Sequence, residues 1–164
     1  MPEARLRILG VDPGLARLGY AVIEATGDTL RLVGAGLVTT AARACRASRL
    51  HEIAEGFESV LDDFDPTEAA IERLAFTRNV SSALPVSEVV GVVRLALWRR
   101  GVVAYDISPN TVKNAATSGG SAAKEQVQRT VVRLLGLDEP PQPPDVADAM
   151  AIAYTRLAQR RWER

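Results

Sequence analysis

The sequence predicts an α/β fold built on one mixed, five-stranded sheet, and three observations predict it. Short apolar runs alternate with longer stretches of helical periodicity. The first three runs follow one another across turn residues, with no helix between them. Each later run is separated from the previous one by an amphipathic stretch. The order strand–strand–strand–helix–strand–helix–strand–helix makes the hairpin-linked strands antiparallel and the crossover-linked strands parallel to the first. At 164 residues the chain reads as one domain, 1–164, long enough to bury a core.

Residues 6–12 and 18–25 read as the first two strands. Thr26-Gly27-Asp28-Thr29 supplies a hairpin turn, and 30–39 is the third strand. Leu50, Ile53, Phe57, Val60/Leu61 and Phe64 then recur on one face, so 47–64 is an amphipathic helix that Asp65-Pro66 stops. Glu68 to Glu72 (EAAIE) is a short strand. Val86, Val89/Val90, Val93 and Leu97 form a second helical stripe, read as core and ending near Gly101. Val102 to Ile107 is the fifth strand. Ser108-Pro109 has the form of a helix cap followed by a first-turn proline, opening a short helix to about Ala116. Thr117 to Gly120 is a loop. Ser121 caps a helix to Leu135 that Gly136 closes, and after the connector EPPQPP a last helix runs from Asp145 to about Trp162.

Composition excludes several classes. Twenty basic and twenty acidic residues cancel, so net charge announces no nucleic-acid partner, although Arg156, Arg160, Arg161 and Arg164 gather at one end. One cysteine, Cys45, rules out an intramolecular disulfide framework and a four-cysteine zinc site, and fits a reducing cytoplasm. No apolar stretch reaches bilayer length, and no signal core opens the chain. Trp98 and Trp162 read as packing or interface residues, and His51 lies on the polar side of its helix.

Four carboxylates stand out by position. Asp12 and Glu72 both end short apolar strands; if those strands are parallel neighbours, about 4.8 Å separates them. Asp145 and Asp148 sit three residues apart at the start of the last helix, facing one way, where the helix dipole favours their charged forms. Taken singly, each has an ordinary reading as turn former, solvated pair with Arg73, or cap. Together, clustered acids need compensation, and oxygen donors without His or Cys beside them suit Mg²⁺ or Mn²⁺. Two such ions activate water and stabilise the leaving oxygen of a phosphodiester.

Four stretches carry a resemblance: ILGVDPGLARLGYAVIE, AAIERLAFTRNVSSAL, SPNTVKNAATSGGSAAKEQV and PDVADAMAIA. In this order, and across nearly the whole chain, they resemble the RuvC family of Holliday-junction resolvases, which has an RNase H-like fold. The resemblance implies a homodimeric, metal-dependent endonuclease that nicks opposing strands of a four-way DNA junction and leaves 5′-phosphate and 3′-hydroxyl ends. It implies a branch-migration motor of the RuvA and RuvB type as partner. By motif position the catalytic, metal-binding acids are Asp12, Glu72, Asp145 and Asp148. Asp12 bridges two ions, Glu72 binds the one that prepares the water, and the DVAD pair completes the set. Some relatives carry histidine at the place of Asp145. Lys113 and Lys124 fall on the family's phosphate-holding lysines; without the resemblance both read as exposed helical lysines. The family's stacking aromatic falls on Ala75, so either Phe76 replaces it from a shifted loop or Phe76 is buried. Arg78 and Asn79, in the same loop, contact backbone or are solvated. Two other readings stand beside the resolvase: a non-catalytic junction-binding module, or another nuclease of the same fold. The DPG turn after a strand also resembles the phosphate loop of actin-like kinases, which need two such domains.

Overall fold

The computed structural model describes residues 5–73, 80–115 and 124–162. Phe76, Arg78 and Asn79, together with Ala75, Thr117–Gly120 and Ser121, lie outside them. Five strands form one sheet: β1 (Leu6–Asp12), β2 (Arg17–Thr26), β3 (Thr29–Thr39), β4 (Glu68–Glu72) and β5 (Val103–Ile107), in the order β3-β2-β1-β4-β5. β1–β2 and β2–β3 pair antiparallel, the latter through a two-residue turn with Gly27 at φ 55°, while β1–β4 and β4–β5 pair parallel. The predicted mixed sheet is therefore present, with β1 and β4 at the expected bounds and β2, β3 and β5 within one residue of them.

Alternation along β1 assigns the two faces. Leu9 and Val11 enter a core with Ala69 and Ile71 of β4, Ile53 and Phe57 of α1 (Arg46–Phe64), and Val89, Val93 and Leu97 of α2 (Val80–Arg99). Ile8 faces the other way, into a core with Met150, Ala153 and Leu157 of α5 (Pro144–Trp162) and Val127 and Val131 of α4 (Lys124–Leu134). α3 (Pro109–Ala115) joins this second layer beside α5. α2 starts at Val80 and carries Pro85 inside it, earlier than the apolar stripe from Val86 suggests. Proline removes one helical hydrogen bond, and the valine stripe packed on the sheet outweighs that loss.

Helix ends follow local chemistry. Asp65 closes α1 in the left-handed region at φ 43°, its N–H donating to the Leu61 carbonyl. Ser108 Oγ accepts the Thr111 N–H at 3.1 Å, the expected cap of α3. Gly101 and Gly136 follow α2 and α4 at positive φ.

Two arginines of the basic C-terminal segment, Arg156 and Arg160, are engaged with a carboxylate of the sheet. Arg156 is 2% exposed and donates through Nε to Glu68 Oε2 at 2.9 Å, with its guanidinium carbon 3.5 Å from the centre of the Tyr105 ring. Arg160 pairs with the other oxygen of Glu68. A carboxylate buried on β4 needs such partners, which explains why the arginines turn inward. Trp98 departs from packing in the opposite sense: it is 78% exposed. His51 is exposed, as expected, and so is Cys45. No described helix is long and apolar enough to cross a membrane.

Candidate functional site

The site lies where β1 and β4 end beneath the first turns of α5. Ile8 and Gly10 face α5, so by alternation Asp12 leaves the sheet on the same side. On β4, Ala70 packs against Ile107 and Ile152, which puts Glu68 and Glu72 on that side too. The parallel register pairs Gly10 with Ala70 and Val11 with Ile71. One further step brings Asp12 beside Glu72, about 4.8 Å apart between neighbouring strands. Two acids separated by the whole β2–β3–α1 excursion thus end adjacent strands on one face.

α5 adds the other pair, and two glycines let it come close. A Cβ on Gly10 would stand 2.0 Å from the Ala149 carbonyl oxygen. One on Gly19, the residue paired with Asp12 across β2, would stand 2.3 Å from the Asp145 carbonyl oxygen. The helix backbone therefore rests directly on the sheet. Asp145 lies over Gly19, and its carboxylate pairs with the Arg17 guanidinium at 3.4 Å. Asp148, one turn on, lines a recess together with Glu72, Lys113 and Gln128. Gln128 Nε2 donates to Asp148 Oδ1 at 3.0 Å.

The structure thus places the four acids along one edge: Asp145 above β2, Asp12 at the end of β1, Glu72 and Asp148 around the recess at the end of β4. Lys113 reaches the same recess from α3. Lys124 is the first residue of α4. Arg17 and Gln128 are contacts that motif reading passed over. The signal for Gln128 was its place one helical turn after Lys124 in KEQVQ; the signal for Arg17 was its position just after the DPG turn.

Carboxylates without nearby His or Cys fit a hard divalent cation, since the chain's one His and one Cys belong to the opposite layer. Among the described residues no three His, Cys, Asp or Glu side chains converge into a ready-made ion cage. Mg²⁺ does not require one, because it is commonly held by one or two carboxylates with water and substrate phosphates completing the shell.

Residues 8–156 match the model of the crossover junction endodeoxyribonuclease RuvC family. The chain belongs to the RuvC family. It is 44% identical to the crossover junction endodeoxyribonuclease RuvC of Heliobacterium modesticaldum over 94% of this chain and 96% of that one. It is 42% identical to the Thermotoga maritima enzyme over 97% and 95%. The solved structure of Thermus thermophilus RuvC in complex with a Holliday junction substrate superposes with a TM-score of 0.91 at 34% identity, covering 96% of both chains. A yeast mitochondrial Holliday junction resolvase shares the fold at a TM-score of 0.70 and 13% identity. The RNase H-like mixed sheet agrees with this membership, and the family carries dependence on a divalent metal as its general chemistry.

Proposed function

We propose that this chain is a homodimeric endonuclease that resolves four-way DNA junctions in recombination and repair, cutting opposing strands by hydrolysis to leave 5′-phosphate and 3′-hydroxyl ends. The observation that carries this reading is the acidic edge of a RuvC-type sheet, with Asp12 and Glu72 on neighbouring parallel strands beneath the helix bearing Asp145 and Asp148.

Asp12, Glu72, Asp145 and Asp148 would hold Mg²⁺ or Mn²⁺, two ions per site, which would supply an activated water and neutralise charge on the leaving oxygen. Asp12 lies on the central strand, between Glu72 on one side and Asp145 on the other, and would be the acid that contributes to holding both ions. Glu72 borders the recess and orients the attacking water there. One member of the Asp145/Asp148 pair would take that water's proton. Lys113, at the same recess, holds the scissile-strand phosphate. Lys124 does so from the start of α4, where backbone N–H groups add to its charge. Phe76 stacks on an unpaired base at the crossover while Arg78 and Asn79 contact the backbone.

Two cuts a junction's width apart require two copies. Leu84, Gly91, Leu95 and Trp98 fall within one arc of α2; the three large side chains are 57%, 50% and 78% exposed, and a Cβ on Gly91 would meet nothing within 4 Å. We place the dimer seam there. An antiparallel pairing of two such helices about Gly91 sets Leu84 of one copy against Trp98 of the other and Glu88 against Arg94. A branch-migration motor of the RuvA and RuvB type is the partner that delivers junctions, in the cytoplasm.

Cleavage of a synthetic four-way junction and a linear duplex, in Mg²⁺ or Mn²⁺, tests the reading. The junction is cut and the duplex is not. Asp12→Asn and Glu72→Gln abolish cutting while junction binding survives, because neutralising acids removes repulsion from phosphates. Binding weakens as salt rises. Normal cutting by either variant refutes the assignment.

A further inference from the structure

Gln128 is not one of the acids, yet it touches one. Val127 and Val131 are buried against α5, which fixes the rotation of α4 and turns Gln128 toward the recess lined by Glu72, Lys113 and Asp148. There its amide Nε2 donates to Asp148 Oδ1 at 3.0 Å. A carboxylate accepts but cannot donate, so the amide nitrogen is the end that must face it. The contact fixes the plane of the Asp148 carboxylate. It also ties that plane to α4, the helix that begins at Lys124.

We propose that Gln128 is a positioning residue that holds the Asp148 carboxylate in the orientation for capturing the divalent cation, so that the helix carrying the phosphate-binding Lys124 also sets the geometry of ion capture. The inference rests on the reading of Asp148 as a metal-binding acid. Hydrogen-bonded partners behind ligating carboxylates typically matter about 10–100-fold in metal affinity or activity.

The experiment compares Gln128→Leu, which removes the donor, with Gln128→Glu, which keeps the shape but puts a second carboxylate against Asp148. Mn²⁺ binding to metal-depleted protein is titrated by calorimetry, and the Mg²⁺ concentration for half-maximal junction cutting is measured. Gln128→Leu is expected to weaken Mn²⁺ binding and raise the half-maximal Mg²⁺ concentration by about 10–100-fold, whereas Gln128→Glu, whose added carboxylate attracts the ion, is expected to shift both in the opposite sense. The cutting rate should recover at high Mg²⁺, and the junction Kd without metal should match the parent. Unchanged Mn²⁺ binding in both folded variants overturns the inference, as does a weakened junction Kd with normal metal dependence, which makes Gln128 a DNA contact. Asp148→Asn serves as the reference. If it cuts and binds Mn²⁺ normally, the reading of Asp148 fails; if it is inactive while the Gln128 variants behave as the parent, only the role of Gln128 fails.

Discussion

Gly19→Ala adds one methyl group beneath the start of α5. On the present backbone that Cβ stands 2.3 Å from the Asp145 carbonyl oxygen, 2.7 Å from its carbonyl carbon and 3.1 Å from its Cβ. Real Cβ atoms essentially never approach closer than 3.0 Å, so the gap must open by about 0.7 Å at least. The obstructing atoms are backbone, which cannot swing aside as a side chain does. Either β2 bows away or the first turn of α5 lifts, and with it Asp145 and Asp148 move relative to Asp12 and Glu72. Forced overpacking of this kind costs about 1–3 kcal/mol. For a chain of this length that is a fall in Tm of roughly 2–12 °C. The effect on rate is larger, since misplacing reacting groups by about 1 Å costs on the order of 100-fold. Single-turnover cutting of a four-way junction at saturating Mg²⁺ should therefore drop about 100-fold while junction Kd stays at the parent value. Gly10→Ala, aimed 2.0 Å from the Ala149 carbonyl oxygen further along the same helix, provides the comparison: it disturbs the middle of α5 and shows chiefly as lost stability. Parental single-turnover rates for a folded Gly19→Ala protein would refute the idea that backbone contact between β2 and α5 sets the spacing of the acids.

Three further outcomes follow from other parts of the molecule. Arg156→Met leaves Glu68 buried on β4 with only Arg160 of its described partners, and urea denaturation should show a loss near 3 kcal/mol, the low end for breaking a buried pair; Glu68→Gln in the same chain should restore part of it. Glu24 accepts hydrogen bonds from Arg5, Arg7 and Arg31, which hold its carboxyl down at about 2, so its contribution is complete above pH 4.5 and is lost as pH falls toward 2; Glu24→Gln should flatten the acid limb of a stability–pH curve over that interval. Gly91→Glu and Trp98→Ser should shift the protein toward monomer in analytical ultracentrifugation and lower paired cutting of a junction, with Tm little changed in the monomer because both positions face solvent there.

Much of this architecture was legible from residue pattern. The alternation in β1 and the EAAIE strand gave both strand ends to the residue, because turn chemistry at Asp12-Pro13-Gly14 and the acid at Glu72 coincide with the loss of apolar character. The parallel pairing of those strands followed from the helix between them. What the pattern did not carry was contact at a distance. Arg156 looked like part of a basic tail because sequence gives no sign that Glu68, 88 residues away, is buried and waiting for it. The upstream start of α2 was hidden by Pro85, whose local cost is visible in sequence while the packing that offsets it is not. Gln128 carries no charge and belongs to no acidic motif, so only geometry reveals its bond to Asp148. Trp98 was legible as an aromatic on a helix but not as one turned outward.

The position of α5 at the end of the described elements has a bearing on synthesis. Until that helix has left the ribosome, Ile8, Ala21, Ile23 and Ala70 have no cover on its side of the sheet, and Asp12 and Glu72 stand without the partners that complete the acidic edge. A nascent chain therefore carries a sticky apolar surface but no armed cutting edge. On the proposed assignment of the four acids, hazard to the genome begins only when α5 docks, at the same moment that this apolar face is covered.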